Sequence, residues 1–358
     1  MNQLRFGFIS TANIGRKNWK AIFHSGNCVV TAVASRDLRK SRGFISDCQR
    51  EFPFETIPNA LGSYEELLAS PDVDAIYLPV PTGLRKEWVV RAAKAGKHVL
   101  CEKPCAASAG DLREMLAACR KHRVQFMDGV MFMHSPRLAR VREILDDGKS
   151  VGEARRISSA FSFSVGGDFF RDNIRADGRL EPAGCLGDLG WYCLRFALWT
   201  MNWKMPRAVT GKILSLSPKL KKRPPTPAEF SGELIFDGNV SADFYCSFLA
   251  AHQQWASVSG RKGFLRLPDF IHPFDSYDPV FEVNRREVRV PGGAKCPLGA
   301  DPMAQGHATA QDTRMFRNFT GQIFSGKLNA DWPAWALKTQ RVMGACLEAA
   351  KRGAPVKI

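Results

Sequence analysis

The sequence predicts an α/β chain with two domains, a doubly wound parallel sheet followed by an α+β domain with a large open, mainly antiparallel sheet. Up to about residue 125, short apolar runs alternate with helical stretches. Beyond about residue 150, β-rich runs follow one another without long helices between them. The 358 residues suffice for about two domains. We place the first domain at residues 1–125 and the second at 126–358.

The first domain contains five predicted strands that are short and almost continuously apolar, as in sheets covered on both faces. Helical patterns between them predict parallel strands, and such sheets bind ligands beyond the carboxyl ends of their strands. Ser63 and Glu66 have the spacing of a capping box at the start of the third helix. The strands are expected at 5–9, 28–35, 75–79, 98–101 and 125–127, and the helices at 14–24, 37–51, from 63, at 84–95 and at 111–122.

The second domain contains about six predicted strands, with helices before them (185–200) and after them (309–324 and 332–352). The Asp237-Gly238 pair between two of the strands is typical of a hairpin. Such a sheet leaves one face uncovered, so we expect a homodimer or higher homo-oligomer to form through that face. The strands are expected at 155–165, 208–216, 231–236, 240–249, 255–260 and 263–267.

Composition and charge argue against several classes of function. The formal charge is +16, but the basic residues are scattered and no helix-turn-helix, zinc or stacking motif accompanies them, so no nucleic-acid partner is expected. No apolar run approaches the roughly 18 residues of a spanning helix and no signal segment opens the chain, which favours a cytoplasmic location without membrane association. The ten cysteines and seven histidines lack metal-ligand spacing, so we expect reduced thiols and no metal site.

The loop after the first strand lies where a Gly-x-Gly-x-x-Gly segment would turn its amides towards a dinucleotide pyrophosphate. Of the three glycines only Gly15 is present, because Ser10 and Ala12 replace the first two. We interpret this segment as the nucleotide loop of a Rossmann domain, with an ordinary βα turn as the alternative. The predicted contacts are Ser10, Thr11, Ala12, Asn13 and Ile14.

The end of the second strand predicts which dinucleotide binds. An enzyme for NAD(H) places a carboxylate there to accept from the ribose 2′-hydroxyl. This chain has Ser35 and Arg36 instead, and a hydroxyl with a guanidinium can bind the 2′-phosphate that a carboxylate repels. Asp37 argues against this, but it lies two residues late and is better placed to cap the next helix. The expected cofactor is NADP(H), with NAD(H) less favoured.

Three further stretches carry a resemblance: Pro79-Val-Pro-Thr82, Cys101-Glu-Lys-Pro104 and Gly184-Cys-Leu-Gly-Asp-Leu-Gly-Trp-Tyr192. Over nearly its whole length the chain resembles the glucose-fructose oxidoreductase / inositol dehydrogenase / rhizopine-catabolism (Gfo/Idh/MocA) family. The resemblance implies hydride transfer between nicotinamide and a carbon bearing a hydroxyl or carbonyl, usually on a sugar or polyol. It also implies cofactor contacts from Pro79, Thr82, Glu102 and Lys103.

The family's catalytic lysine falls on Lys103, and its Asp-x-Gly-x-His motif matches residues 188–192, with Tyr192 in place of the usual histidine. This variant is similar to the glucose-fructose oxidoreductase and dihydrodiol dehydrogenase branches, which tend to use NADP(H). An alcohol that loses hydride also loses its hydroxyl proton, so a base is needed. A phenol with a pKa of about 10 becomes one when a nearby ammonium lowers that pKa. We predict that Lys103 and Tyr192 act as a pair and that Asp188 holds a substrate hydroxyl. Taken singly, Lys103 could instead form a surface ion pair with Glu102, and Tyr192 could be a core aromatic.

Several polar residues are candidates for facing the substrate. Arg85 stands where the family often has a histidine, which leaves the role of that position altered. A structural role in ion pairs or packing is the alternative for each candidate. Two other functions stay open, a sugar–sugar oxidoreductase that retains its cofactor and a catalytically silent NADP-binding sensor or scaffold. The candidates are Arg85, His134, Arg171, Asn173 and Arg175.

Overall fold

The computed structural model describes residues 3–220, 223–273, 282–285, 294–295 and 308–358, and it divides into two compact units. The first unit takes in the described residues within 1–106, 110–135 and 301–336, and the second those within 107–109, 136–300 and 337–358. The units differ from the predicted domains because residues 126–135 and the described part of 301–336 belong to the first unit.

The first unit contains a six-stranded parallel sheet in the order β3-β2-β1-β4-β5-β6. This is the predicted doubly wound arrangement, with five of the six strands where the sequence places them. The strand that was not predicted, β3, has three residues, lies at the edge of the sheet and has no apolar run. The strands are β1 (Leu4–Ile9), β2 (Cys28–Ala34), β3 (Asn59–Leu61), β4 (Ala75–Leu78), β5 (His98–Cys101) and β6 (Phe126–Asp128).

Local side-chain caps fix where two helices of this unit begin. Asp37 accepts a hydrogen bond from the Arg39 amide (2.9 Å), as predicted. Ser63 accepts from the Glu66 amide (3.1 Å), whereas the Glu66 carboxylate reaches the amide of Gly62 (3.2 Å). The helices are α1 (Ile14–Ser25), α2 (Leu38–Glu51), α3 (Tyr64–Ala69), α4 (Thr82–Lys94) and α5 (Ala109–Lys121).

A helix from late in the chain completes the first unit. In α9 (Gln311–Phe324), Phe316 packs edge-on against Phe6 of β1, with ring centroids 5.4 Å apart. Asp312, 1% exposed, lies 3.6 Å from the ammonium of Lys17 on α1. These apolar and ionic contacts explain why this segment groups with the first sheet although the sequence predicts it in the second domain.

The second unit contains a nine-stranded sheet in the described part of the chain, in the order β14-β13-β12-β11-β7-β10-β9-β8-β15. Every pair is antiparallel except β7 with β10, and the predicted hairpin joins β9 to β10. The fold class is therefore confirmed, and three short strands that were not predicted, β13, β14 and β15, extend the two ends of the sheet. The strands are β7 (Ala154–Ser162), β8 (Ala208–Leu216), β9 (Pro227–Ile235), β10 (Ser241–Ser247), β11 (Gln253–Gly260), β12 (Gly263–Leu267), β13 (Glu282–Arg285), β14 (Ala294–Lys295) and β15 (Val356–Lys357).

The predicted helix over 185–200 forms in two parts, a π-helical turn at Leu186–Gly190 and then α8 (Trp191–Thr200). A glycine precedes the turn because a Cβ on Gly184 would come within 2.2 Å of the Pro227 carbonyl oxygen. The remaining helices are α6 (Pro136–Asp146), α7 (Gly167–Asp172) and α10 (Asp331–Arg352). Of the helices described, none combines the length and the apolar composition needed to cross a bilayer. The nine described cysteines are buried, and Cys296 lies outside the described residues.

Candidate functional site

The predicted nucleotide loop connects β1 to α1 at the carboxyl edge of the first sheet. Ser10 has φ = 106°, the left-handed region that favours glycine, so the backbone keeps the turn that the missing glycine would make. The Ser10 hydroxyl accepts from the Ala12 amide (3.1 Å), and the Gly15 amide donates to the Ala12 carbonyl (2.8 Å). The loop is thus closed by its own hydrogen bonds, with Thr11 and Ala12 half-buried and Asn13 and Ile14 exposed.

Gly15 allows the loop to lie close to the neighbouring helix. A Cβ at this position would lie 3.1 Å from the ring of Phe44 on α2 and 3.6 Å from that of Phe8 on β1. The retained glycine therefore serves helix–sheet packing, which is the role of the third glycine in dinucleotide loops. The amino end of α1 thus lies at the carboxyl edge of the sheet, and an anion such as a pyrophosphate is favoured at such a helix end.

At the end of β2, Ser35 is 7% exposed and Arg36 is exposed. The Asp37 carboxylate is engaged at the start of α2, and its pKa is lowered chiefly by the Arg39 amide. Neither Ser35 nor Arg36 carries a carboxylate that could accept a hydrogen bond from a ribose hydroxyl. Tyr64, which the sequence reasoning missed, lies in the same region: burial raises the pKa of its phenol against the charge of Arg36 and a hydrogen bond with Ser10.

The turn after β5 carries Glu102 and Lys103, both half-buried. Tyr77 of β4 donates to the Glu102 carboxylate (2.7 Å) and accepts from Asn18 of α1 (2.5 Å). Burial raises the pKa of Tyr77 well above its ordinary value, so it remains a neutral donor. The Lys103 amide also donates to this carboxylate (3.3 Å). A buried phenol requires a partner, which is the one sequence signal that could have drawn attention to Tyr77.

Thr82 and Pro79 lie beside that turn. Pro79 follows β4 directly, and Thr82 opens α4 with its side chain 3% exposed. The Thr82 hydroxyl lies 3.5 Å from the Pro104 carbonyl oxygen. The residues expected at the ends of β4 and β5 therefore lie together, at the same edge of the sheet as the nucleotide loop.

Arg85, predicted to face the substrate, is buried in the structure. Its side chain is 5% exposed, and its guanidinium donates to the carbonyls of Val80 (2.8 Å), Glu102 (2.8 Å) and Pro104. All three acceptors belong to the main chain at the ends of β4 and β5. Arg85 therefore supports the turn from within rather than presenting its charge to a substrate.

His134 ends a 3₁₀ turn over Met131–His134 in the first unit. Its Nδ1 lies 3.1 Å from the Asn318 side-chain amide, and its ring packs edge-on against Trp332 at 6.3 Å. These contacts orient the ring of His134 through α9 and α10.

In the second unit the π-helical turn carries Asp188, and Tyr192 lies in the first turn of α8. Tyr192 is 5% exposed and packs edge-on against Phe161 of β7, with centroids 5.6 Å apart. Arg175 pairs with the Asp188 carboxylate at 2.8 Å, so two of the predicted residues are brought together. Gly190 allows close packing in this turn, since a Cβ there would lie 2.9 Å from the Leu186 side chain and 3.2 Å from the Cys246 sulfur.

The other two candidates of that segment have local roles. Arg171, with its side chain 65% exposed, pairs with Asp168 (2.6 Å) and Asp172 (3.4 Å). Asn173 accepts from the Arg175 amide (3.0 Å) and begins the short 3₁₀ turn that carries Arg175. Asn173 thus orients Arg175, whereas Arg171 is engaged with its sequence neighbours.

The sequence matches two family profiles and several characterised relatives. The sequence profile of an oxidoreductase family with an NAD-binding Rossmann fold (GFO_IDH_MocA) matches residues 4–130, and a GFO/IDH/MocA carboxy-terminal domain profile matches 138–266. The trans-1,2-dihydrobenzene-1,2-diol dehydrogenase of Xenopus laevis is 30% identical over 242 residues, 68% of either chain. The D-xylose 1-dehydrogenase (NADP(+)) 2 of Haloferax volcanii is 34% identical over 194 residues, 54% of this chain and 56% of the other.

Among solved structures, a levoglucosan dehydrogenase in complex with NADH and levoglucosan superposes with a TM-score of 0.83. The alignment covers 100% of both chains at 17% sequence identity. At that identity the likeness concerns the fold alone.

Proposed function

Because the chain belongs to the Gfo/Idh/MocA oxidoreductase family, we propose that it is an NADP(H)-dependent dehydrogenase or reductase acting on a sugar, polyol or related diol. The observation that carries the proposal is the braced turn at the ends of β4 and β5, which presents Lys103 at the sheet edge shared with the nucleotide loop. Such an edge is where ligands bind in doubly wound sheets.

The residues at that edge fit a dinucleotide. The turn at Ser10 and the close packing that Gly15 allows hold the amino end of α1 at this edge, where a pyrophosphate would bind, and Ser35 with Arg36 suits a 2′-phosphate. When bound, the nicotinamide supplies the hydride acceptor or donor. The fold by itself does not choose between the two dinucleotides, so the choice of NADP(H) rests on Ser35 and Arg36 and on the NADP(+)-dependent xylose dehydrogenase among the relatives.

We assign proton transfer to Tyr192 and the supporting charge to Lys103. The Tyr192 phenol oxygen takes the proton of the substrate hydroxyl, and the ammonium of Lys103 favours the phenolate and the developing alkoxide. Asp188, held by Arg175, accepts from a substrate hydroxyl. In the direction of reduction the same phenol returns the proton.

Steady-state kinetics test this assignment, with NADP⁺ and either D-xylose or trans-1,2-dihydrobenzene-1,2-diol as substrates. Tyr192→Phe and Lys103→Ala should each lower kcat by about 100-fold or more, because a general base contributes that much. The matched control is Tyr245→Phe, which removes a phenol bonded to Glu229 on β9 and should leave kcat unchanged.

Two results would contradict this assignment. Turnover that survives Tyr192→Phe at the unaltered rate would remove the phenol from the chemistry. Tight NADPH binding without turnover of any sugar or diol would favour the NADP-binding sensor instead.

A further inference from the structure

A single buried guanidinium links the ends of two neighbouring strands on either side of Lys103. Arg85 projects from the first turn of α4, and its side chain is 5% exposed. Nε donates to Val80, which follows β4, and one terminal nitrogen donates to both Glu102 and Pro104, which follow β5. The two residues that accept at β5 are the immediate neighbours of Lys103 in the chain.

The turn is held from two directions. Main-chain carbonyls on both sides of Lys103 are fixed by Arg85, and the Glu102 carboxylate is fixed by Tyr77 and by the Lys103 amide. Each anchored group belongs to Lys103 itself or to one of its two neighbours in the chain. Rotation of the turn would break the hydrogen bonds of both anchors at once.

An arginine side chain suits the contact with three carbonyls, and few other side chains could make it. A guanidinium is planar, permanently charged and presents donors in a rigid fork, so it can serve three carbonyls together. A lysine at this position would offer one mobile point charge, and a histidine at most two donors on a shorter stem. Burying a charge that has only main-chain carbonyls as acceptors lowers the stability of the fold. This cost argues that Arg85 contributes to function rather than to stability.

We propose that Arg85 is a positioning residue for Lys103. It fixes the main chain on either side of that lysine, so that the ammonium is presented at one place to the reacting atoms. The inference rests on the proposed function, in which Lys103 supports proton transfer. It also gives a role to the position where related sequences often have histidine.

The test compares Arg85→Met, Arg85→Lys and Arg85→Ala with the unaltered protein, using NADP⁺ with D-xylose or the dihydrodiol. We expect Arg85→Met to lower kcat by about tenfold to 100-fold, since small misplacements of a catalytic group cost that much. Arg85→Lys keeps the charge but replaces the planar fork by a single nitrogen, so its kcat should lie between those of Arg85→Met and the unaltered protein. The dissociation constant for NADPH, measured by fluorescence, should stay within about threefold, because the pyrophosphate loop is untouched. Guanidinium ion added to Arg85→Ala at non-denaturing concentration should restore part of kcat.

Arg120→Met is the matched control, since it removes an exposed guanidinium from α5 in the same unit and should behave as the unaltered protein. Thermal unfolding shows whether each variant is folded, and if Arg85→Met is not, Arg85→Lys decides. Turnover by a folded Arg85 variant at the unaltered rate overturns this inference alone. Absence of turnover and of NADPH binding in the unaltered protein overturns the proposed function, and this inference with it.

Discussion

At the end of β2 lie Ser35 and Arg36, the two side chains that we propose to meet the ribose of the cofactor. Arg36 is exposed, Ser35 offers a hydroxyl, and the Asp37 carboxylate is engaged with the Arg39 amide. Replacing Arg36 by Glu puts a carboxylate where a 2′-phosphate would bind and a 2′-hydroxyl could donate. We expect Arg36→Glu to weaken NADPH binding by at least about tenfold and to strengthen NADH binding, as measured by fluorescence titration.

The control for this change is Arg50→Glu, in which the same charge reversal is made on a 73% exposed side chain in the last turn of α2. It should leave the ratio of the two dissociation constants unchanged. An Arg36→Glu protein that still prefers NADPH by the original factor would contradict the assignment. Equal affinities in the unaltered protein would contradict it as well.

Residue roles that depend on near neighbours were predictable, and those that depend on distant partners were not. Asp37 and Ser63 cap helices through amides two and three residues ahead, which a sequence pattern contains. Arg85 finds its acceptors 5, 17 and 19 residues away, and Asn18 meets Tyr77 59 residues away. Only the folded sheet brings those groups together, so the sequence makes Lys103 a candidate but does not indicate the side chains that hold its turn.

Among the elements, the short helix α3 places Tyr64 beside the nucleotide loop. Its first turn depends on the Ser63 hydroxyl, which accepts from the Glu66 amide, and Tyr64 packs edge-on against Trp88 at 4.8 Å. Ser63→Ala removes the cap and should cost about 1 kcal/mol in the local free energy of opening. Hydrogen exchange of the α3 amides should accordingly become about fivefold faster.

Ser46→Ala serves as the control, because Ser46 is exposed within α2 and its hydroxyl caps no helix. It should leave exchange in α3 unchanged. Unaltered protection of α3 in the Ser63→Ala protein would show that packing through Tyr64, rather than the cap, determines the stability of this helix.

Elements with a strong periodic pattern were predicted close to their observed bounds, and the exceptions have physical reasons. The edge strand β3 has three residues and pairs only with β2. The helix predicted over 185–200 begins as a π-helical turn that is preceded by Gly184, where a Cβ would meet the Pro227 main chain. The Asp188–Tyr192 spacing therefore spans a change of helix type, which the i, i+4 pattern alone does not reveal.

On the scale of the whole molecule, the nine-stranded sheet exposes an outer face. The exposed apolar side chains on its strands include Leu214 and Leu216 on β8 (43% and 53% exposed) and Phe264 on β12 (40% exposed). Charged residues accompany them, with Arg156 and Asp243 paired at 2.9 Å beside a shallow groove of about 410 Å³. Apolar and charged groups of both signs on one surface suit contact with an identical surface, in which each residue meets its complement across a two-fold axis.

We propose a homodimer formed through this face. Its six long strands span roughly 30 by 25 Å, or about 750 Å², close to the roughly 800 Å² that each partner buries in a stable interface. Light scattering should give twice the 39.8 kDa of one chain. Placing carboxylates at Leu216 and Phe264 together (L216D/F264D) should return the mass to that of one chain, because charge repulsion and lost apolar contact act on both partners. Leu328→Asp, which changes a 46% exposed leucine in the loop between α9 and α10, should leave the dimer intact. A mass of 39.8 kDa for the unaltered protein would contradict the proposal, and the face would then remain exposed in solution.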